Sequence, residues 1–181
     1  MRLILASASP RRKELIARLT DDFTVAVSQA EETAEGDART AAESYSLRKA
    51  QAVARTHAGI VLGADTVVAV DGALLGKPQD DADAKRMLRR LSGRTHEVIT
   101  GVTLTDGRKT VTASETTAVT FAALPKDVID AYVRSGAAAD KAGAYGIQDG
   151  MLQRYITYAG DYDNVVGLPL ALTERLMKEF E

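Results

Sequence analysis

The sequence has little of several residue types: it contains no cysteine, no tryptophan, four prolines and two histidines in 181 residues. Without cysteine the chain has no disulfide, no thiolate metal site and no cysteine nucleophile, which fits a reducing compartment. No apolar run approaches the roughly 20 residues that a membrane helix needs, and the apolar run at residues 3–8 is too short for a signal peptide. These absences predict a cytoplasmic protein without a membrane partner.

The sequence also lacks an excess of positive charge, since its formal net charge is −2. A general nucleic-acid binder is usually basic, so we do not expect nucleic acid as a partner. Hydrophobic residues make up 45% and charged residues 27% of the chain, which is ordinary for a globular protein. We find no repeat or low-complexity segment, and the length suits one domain with a sizeable core. The expected organisation is therefore a single domain over residues 1–181.

Residues 3–12 predict a buried strand that leads through a small-residue turn into a helix. The apolar residues are enough for one strand, Ser9 is a typical N-cap, and Pro10 suits the first helical position. Arg11 and Arg12 then fall in the first turn, where free N–H groups and the helix dipole attract anions. Because a guanidinium group matches phosphate oxygens two at a time, we interpret this turn as a phosphate-binding site. The alternative is an exposed helix start with ordinary surface arginines.

The run at residues 59–70 is the second informative stretch, because a carboxylate stands in the middle of an apolar strand pattern. The run predicts a central strand that is buried on both faces. An ionised Asp65 is costly there unless it is paired, hydrogen-bonded or bound to a metal. In the functional interpretation this carboxylate accepts a proton from water or binds Mg²⁺. The alternative is a break in which Asp65 and Thr66 form a turn between two shorter strands.

An acidic stretch with Glu31, Glu32, Glu35 and Asp37 follows a strand predicted at residues 23–27. Most such runs are solvated loops. Two adjacent carboxylates can instead hold a hard divalent cation through their oxygen atoms. Both interpretations stay open for this stretch.

Three further polar residues have both a functional and a structural interpretation. Lys49 lies in a helix predicted from about Thr40 to His57, where most lysines are simply solvated. Lys77 stands between glycine and proline at a strand end, where it either reaches a phosphate as a point charge or is an exposed loop lysine. Gln148 lies in a glycine-punctuated stretch where the backbone can approach a ligand closely. Its amide can read a base edge, and a solvated loop glutamine is the alternative.

Local signals predict most of the remaining elements. The dipeptides Asp71-Gly72 and Asp106-Gly107 are hairpin turn signals, and the second joins two long strands predicted over residues 97–105 and 109–121. His96 falls just before the first of these strands, where a lone histidine is more often structural than catalytic. Further helices are predicted to begin at Asp80-Asp81, at Pro125 and near Leu170.

Short motifs occur in a fixed order across nearly the whole chain. They are Ser7-Ala8-Ser9-Pro10-Arg11-Arg12, Gly63-Ala64-Asp65-Thr66-Val67-Val68, Gly76-Lys77-Pro78, Leu91-Ser92-Gly93 with Thr95-His96-Glu97-Val98, and Gly167-Leu168-Pro169-Leu170. Together they resemble the Maf family of nucleoside triphosphate pyrophosphatases. An ordered set of spaced motifs is much more specific than any one motif alone. The segment at residues 140–148 resembles the branch of that family that prefers dTTP and UTP.

The resemblance implies both a fold and a reaction. The implied fold is a single α/β domain, as in Maf and ITPase-like proteins, in which helices flank a mixed, curved central sheet and a deep substrate cleft lies between two lobes. The implied reaction is hydrolysis of dTTP and UTP, and of modified pyrimidine nucleotides, between the α- and β-phosphates, with Mg²⁺ or Mn²⁺ as cofactor. The products are the nucleoside monophosphate and pyrophosphate. The family is associated with nucleotide pool sanitation and with cell-division arrest, and two copies can form a homodimer.

The resemblance also implies a role for particular residues. Asp65 would accept the proton from the attacking water and bind the metal. The other implied site residues are Arg11, Thr66 and Gln148 for base preference, Ser7, Arg12, Lys49 and Lys77 for the phosphates, and Glu32 for the metal. Phosphoanhydride hydrolysis needs charge neutralisation, positioning and an oriented water rather than covalent chemistry, and these groups supply those parts.

The chain departs from the family pattern in two places. After Gln148 the family usually has a glycine-rich turn and an apolar strand, whereas residues 149–155 here read Asp-Gly-Met-Leu-Gln-Arg-Tyr. We therefore expect a difference in base selectivity rather than in chemistry. In addition, Glu31 stands beside Glu32 where the family usually has aspartate, which would shift the metal affinity slightly.

Two other functions stay open at the level of sequence. One is a non-enzymatic, nucleotide-binding regulator of septum formation, which would show no turnover. The other is a phosphomonoesterase, which would release orthophosphate in place of pyrophosphate.

Overall fold

The computed structural model describes residues 2–30 and 36–180, which form an α/β fold. The strands are β1 (Leu3–Leu5), β2 (Phe23–Val25), β3 (Ile60–Val70), β4 (Ala73–Leu75), β5 (Thr95–Thr105), β6 (Thr110–Phe121) and β7 (Ile156–Ala159). The helices are α1 (Pro10–Ile16), α2 (Ala38–Ala54), α3 (Asp81–Leu91), α4 (Lys126–Arg134), α5 (Gly150–Gln153), α6 (Tyr162–Val166) and α7 (Leu170–Met177). Short 3₁₀ turns cover Ala142–Ala144 and Lys178–Phe180.

The strands form one mixed sheet in the order β2-β1-β3-β5-β6-β7, with β4 paired to β3 beside this path. Strands β2, β1 and β3 are parallel to one another. The pairs β3–β4, β3–β5, β5–β6 and β6–β7 are antiparallel. This arrangement confirms the predicted mixed sheet with flanking helices.

An interruption along one edge of β3 creates space within the sheet. Strand β5 occupies one edge of β3 from Val61 to Ala69. On the other edge β1 pairs with residues 60–62 and β4 pairs with residues 68–70. In the described part of the chain, residues 63–67 therefore have no strand neighbour on that edge. Both β1 and β4 end at this gap, so the residues that follow each strand lie next to the middle of β3.

Two glycines let helix α2 lie directly on the sheet beside the gap. A Cβ atom at Gly63 would lie 2.3 Å from the carbonyl oxygen of Ser46, and one at Gly101 would lie 2.2 Å from that of Ala42. Neither distance allows a side chain, so close helix–sheet contact requires glycine at both positions. The hydroxyl of Ser46 also forms a 2.8 Å hydrogen bond with that of Thr103. This contact holds the middle of α2 against β5, the strand that pairs with β3.

Apolar side chains form two large clusters in the protein interior. One cluster joins α3 and α4 to β4, β5 and β6 and includes Leu88, Phe121 and Tyr132. The other joins α1 and α7 to β1, β3 and β5 and includes Ile16 and Leu62. Members of both clusters line the cleft described below, which confirms the expected cleft between two lobes.

Several local predictions are confirmed at single residues. Ser9 caps α1, since its Oγ accepts a 3.4 Å hydrogen bond from the N–H of Arg12, and Pro10 is the first helical residue. The β3–β4 hairpin turns at Asp71 and Gly72, which have φ values of 49° and 72°. These predictions succeed because each depends on a few consecutive residues.

Other predictions differ from the structure. The break proposed at Asp65-Thr66 is wrong, because β3 runs without interruption from residue 60 to residue 70. Strand β2 ends at Val25 rather than residue 27, and helix α2 covers Ala38–Ala54 rather than residues 40–57. His96 lies inside β5 rather than before it. Side chains of a strand alternate between its two faces, and that of His96 is on the face that packs into the core. Strand β7 was not predicted.

Within residues 2–30 and 36–180, no helix combines the length and the apolar character needed to cross a membrane.

Candidate active site

A cleft of about 610 Å³ opens at the gap along β3. It is lined by all the candidate residues that the structure describes, namely Ser7, Arg11, Arg12, Lys49, Asp65, Thr66, Lys77 and Gln148. Glu31 and Glu32 lie outside the described residues, so their predicted metal role stays a prediction. The fold thus collects residues from distant parts of the sequence into one cavity, while the role of each remains a prediction.

The cleft has two walls of different construction. The framework wall consists of residues 6–12, Lys49 of α2 and residues 65–68 of β3. The loop wall consists of residues 140–148, which form part of the connection between α4 and α5. Its regular structure is the short 3₁₀ turn at Ala142–Ala144. Candidate residues for the phosphates lie mainly on the framework wall, and Gln148 lies on the loop wall.

Asp65 is paired in the way that its burial requires. Its side chain is 9% exposed, and the ammonium group of Lys49 forms an ion pair and hydrogen bond with its Oδ1 atom. A partner of opposite charge compensates for placing a carboxylate in an apolar strand. The close packing of α2 on Gly63 and Gly101 brings Lys49 within reach. Of the options that the sequence left open for this carboxylate, the structure therefore shows an ion pair.

The next residue along β3, Thr66, points to the opposite face of the sheet, because successive side chains of a strand alternate. Its hydroxyl accepts a 3.1 Å hydrogen bond from Nη2 of Arg12 and shares a 2.8 Å hydrogen bond with Thr100. Arg12 also donates from Nε to the carbonyl oxygen of Gly167 at 2.8 Å and from Nη1 to Ser7 Oγ at 3.4 Å. These contacts hold a permanent positive charge at the border of the cleft.

Arg11 connects the two walls. Its Nη1 atom donates a 3.1 Å hydrogen bond to Oδ2 of Asp140, which lies 129 residues away in the sequence. Burial alone would raise the pKa of the Asp140 carboxyl, but hydrogen bonds from Lys141 and Arg11 outweigh it, and the pKa lies below its ordinary value. Arg11 and Arg12 both line the cleft and are half-buried, and their predicted role at the phosphates and the base stays a prediction.

The loop wall reaches the site through an irregular backbone. Gly143 and Ala144 both have left-handed φ values, 70° and 64°. The N–H of Gly143 donates to the carbonyl oxygen of Gly76 at 3.0 Å, which joins the loop wall to the end of β4. The side chain of Tyr145 then enters the core, where its hydroxyl forms a 2.6 Å hydrogen bond with Nε2 of His96. The loop wall is therefore held by contacts to residues distant in the sequence.

His96 contributes to the core beneath the loop wall rather than to the cleft surface. It is 2% exposed, and its ring stacks on that of Phe121 with centroids 5.7 Å apart. Burial lowers the pKa of His96 to about 4, so the imidazole is neutral at neutral pH. These contacts agree with the structural interpretation of this histidine.

The two remaining candidates, Lys77 and Gln148, are exposed to solvent at the cleft. Lys77 follows β4 at the gap, and Gln148 follows the buried Ile147 at the end of the loop wall. Both side chains are thus accessible to a ligand that enters the cleft.

The donor set of the cleft fits a divalent cation that also binds substrate. No group of three histidine, aspartate or glutamate side chains in the described residues is arranged to hold a metal by itself. Magnesium in nucleotide enzymes is usually bound by one or two carboxylates together with phosphate oxygens and water. The carboxylate of Asp65 at the cleft suits such a partial ligand set.

Sequence reasoning missed the side chains that hold the loop wall in place. Asp140 and Lys141 line the cleft, and the buried Tyr132 forms a hydrogen bond with Asp149 just beyond it. For Asp149 the sequence did offer a signal, because residues 149–155 differ from the family pattern described in the sequence analysis. No local pattern distinguishes Tyr132 from another inward residue of a helix.

Comparisons with known proteins agree with the ordered motifs. A profile of the family described as Maf-like protein matches residues 2–180. A curated relative from Symbiobacterium thermophilum is 50% identical over 98% of this chain and 93% of its own length. Relatives from Bacillus mycoides (49% identical, over 99% of this chain and 96% of the relative) and Thermococcus gammatolerans (47%, over 96% and 94%) are similarly close. All three carry the name dTTP/UTP pyrophosphatase.

A comparison with solved structures supports the fold alone. The Ham1 protein of Staphylococcus aureus superposes with a TM-score of 0.52 at 16% sequence identity. The superposition covers 67% of this chain and 72% of that protein. The two proteins therefore share their α/β architecture over about two thirds of the chain.

Proposed function

The chain belongs to the Maf family, and from this premise we propose that it is a nucleoside triphosphate pyrophosphatase that hydrolyses dTTP and UTP to the monophosphate and pyrophosphate. The observation that carries the proposal is the buried Asp65–Lys49 pair at a cleft that Arg11, Arg12 and Lys77 also line. A carboxylate surrounded by cations suits hydrolysis of a polyphosphate. The names of the relatives at 47–50% identity support the choice of substrate.

In this proposal Asp65 acts as the acceptor of a proton. A water molecule forms a new bond to the α-phosphorus, the bond from that phosphorus to the bridging oxygen breaks, and pyrophosphate leaves with that oxygen. The proton released by the water passes to the ionised carboxylate of Asp65. The ion pair with Lys49 and the rigid strand β3 hold this carboxylate in a fixed orientation.

Four other residues bind the triphosphate in this proposal. Arg12 and Lys49 are the cations held by contacts within the fold, while Lys77 is an exposed point charge at the end of β4. Ser7 adds a hydroxyl group beside Arg12. Together they neutralise negative charge that develops on the phosphate oxygens as the bond breaks. Because Arg12 is fixed by Gly167, little reorganisation is needed when substrate binds.

We further propose that Asp65 and Glu32 hold a divalent cation, Mg²⁺ or Mn²⁺. When bound, the cation supplies positive charge to the phosphate oxygens and lowers the energy of the departing pyrophosphate. Arg11, Thr66 and Gln148 are the proposed base-selecting residues, and only Gln148 offers both a donor and an acceptor in a planar amide. We also propose that the protein acts in the cytoplasm and that two copies can associate as a homodimer.

A product assay tests the proposal. The purified protein is incubated with dTTP, UTP, CTP and the purine triphosphates, with Mg²⁺ or Mn²⁺, and the products are separated by ion exchange. Monophosphate plus pyrophosphate from dTTP or UTP is the expected result. If the same products form only from a triphosphate with another base, the proposed reaction is supported and the proposed base selection is overturned. Orthophosphate alone would indicate a phosphomonoesterase, and no turnover by the folded protein would favour a non-enzymatic regulator.

A further inference from the structure

A buried hydroxyl group ties together the two ends of the turn that carries Gln148. Tyr132, on α4, is 1% exposed, and its hydroxyl donates a hydrogen bond to Oδ2 of Asp149. The same hydroxyl oxygen accepts a 3.2 Å hydrogen bond from the N–H of Gly146. The N–H of Asp149 in turn donates to the carbonyl oxygen of Gly146 at 3.1 Å. Residues on both sides of Gln148 are therefore fixed to one side chain from another element.

The carboxylate of Asp149 occupies space that only a glycine leaves open. A Cβ atom at Gly146 would lie 2.7 Å from Oδ2 of Asp149 and 2.8 Å from Cε of Lys141. Lys141 Nζ lies 3.7 Å from the same Oδ2 atom and donates to the carbonyl oxygen of Ala137 at 2.6 Å. The carboxylate thus has a hydroxyl donor and a cation as neighbours. Burial, and next the contact with Asp149, raise the pKa of Tyr132, so its hydroxyl keeps the proton that it donates.

We propose that Tyr132 and Asp149 are positioning residues that set base selectivity by fixing the backbone on both sides of Gln148. The inference rests on the proposed function, because it assigns the control of base recognition in the same cleft. An exposed glutamine side chain can discriminate between bases only if its backbone is placed accurately, and a displacement of about 1 Å is enough to lose a directed hydrogen bond. Asp149 directly follows Gln148 in the sequence, so its contact with Tyr132 acts next to the amide that would read the base.

The alternative is that the Tyr132–Asp149 pair only stabilises the fold. A purely structural role predicts that a variant loses stability and activity toward every substrate in the same proportion. A positioning role predicts a change in the ratio of activities between bases, because the phosphate-binding residues on the framework wall do not contact this pair. The two roles are therefore separated by a ratio rather than by activity alone.

The test compares Tyr132→Phe with the unmodified protein. The quantity measured is the ratio of kcat/KM for UTP to kcat/KM for CTP, where UTP and CTP differ at the base edge that an amide would read. We expect the ratio to fall about tenfold, mainly through a higher KM for UTP. Inhibition by inorganic tripolyphosphate, which has no base, should change less than about twofold. Tyr158→Phe is the matched control, because Tyr158 is 49% exposed and lies on strand β7.

Two variants at Asp149 sharpen the test. Asp149→Asn keeps an oxygen that can accept from the Tyr132 hydroxyl, so it should retain most of the selectivity. Asp149→Ala removes the acceptor and should resemble Tyr132→Phe. The double variant should lose little more than either single change, because both remove the same contact.

The outcomes separate this inference from the proposed function. If the unmodified protein hydrolyses UTP but Tyr132→Phe keeps the wild-type ratio, the positioning role is overturned and the proposed function stands. If the unmodified protein hydrolyses no nucleotide, the proposed function is overturned, and discrimination is then measured as the ratio of equilibrium dissociation constants for UTP and CTP. An unchanged binding ratio in Tyr132→Phe would overturn the positioning role there as well.

Discussion

The two walls of the cleft are built by different means. The framework wall consists of a strand end, a capped helix start and the central strand β3, so backbone hydrogen bonds of regular structure hold most of it. The loop wall has little regular structure and is held by side chains from elsewhere, namely Tyr132, His96 and Arg11. Every contact of this second kind joins residues that are far apart in the sequence or in different elements.

This difference assigns a separate role to each wall: the framework wall places the catalytic groups, and the loop wall controls selectivity. Catalytic groups need accurate and permanent placement, which regular structure provides. A loop fixed by a few side-chain contacts can change sequence without disturbing the sheet. Substitutions in the framework wall should therefore affect reaction and stability, and substitutions beneath the loop wall should affect selectivity and pH response.

The largest effect is expected at the framework wall for Asp65→Asn. Asparagine has nearly the same shape but cannot accept the proton, so turnover should fall at least about 10³-fold. Far-ultraviolet circular dichroism should report an intact fold, although loss of the ion pair with Lys49 will lower the melting temperature. Asp71→Asn makes the same change in an exposed ion pair with Arg94 and should keep full activity. Wild-type turnover by Asp65→Asn would show that another group accepts the proton.

A second framework substitution, Gly101→Ala, tests whether close helix packing creates the site. The added methyl group would lie 2.2 Å from the carbonyl oxygen of Ala42, so α2 must shift away from the sheet. We expect the free energy of unfolding to fall by about 3 kcal/mol, measured by urea denaturation. Turnover should fall as well, because the shift moves Lys49 away from Asp65. Gly150→Ala is the control, since no atom lies within 4 Å of a Cβ there. Equal stability of the two variants would contradict the packing argument.

A smaller effect is expected beneath the loop wall, where burial holds His96 neutral with a pKa of about 4. The unfolded chain binds a proton at this residue near pH 6.5, while the folded protein does not until about pH 4. Folding stability should therefore fall as the pH drops through this window, by about 2 kcal/mol between pH 6.5 and 4.5.

The measurement is urea unfolding at both pH values, compared with His96→Gln, which cannot titrate and should lose most of this pH dependence. His57→Gln removes the exposed histidine and should keep the pH dependence of the wild-type protein. An identical pH dependence in all three proteins would show that other groups cause the loss. The window lies above the range in which the carboxylates with lowered pKa values, such as Asp106 and Asp130, become protonated.

Part of the site could be predicted from particular residues of the sequence. Ser9 and Pro10 indicated the start of α1, and the apolar run around Asp65 indicated a buried carboxylate that needs a partner. The identity of that partner could not be predicted, because Lys49 resembles any lysine on a helix surface. Its contact with Asp65 depends on Gly63 and Gly101, because the absence of a side chain at these two positions lets α2 lie close to the sheet.

The positions of capped helices, tight hairpins and the carboxylate-bearing strand were determined by the sequence itself, because each depends on residues within a few positions of one another. Only the tertiary structure decided that β1 and β4 share one edge of β3 and leave residues 63–67 open. It also decided that Tyr132 holds the turn around Gln148. The physical reason is that strand pairing and side-chain contacts between distant elements depend on how the whole core packs, and no local pattern encodes that packing.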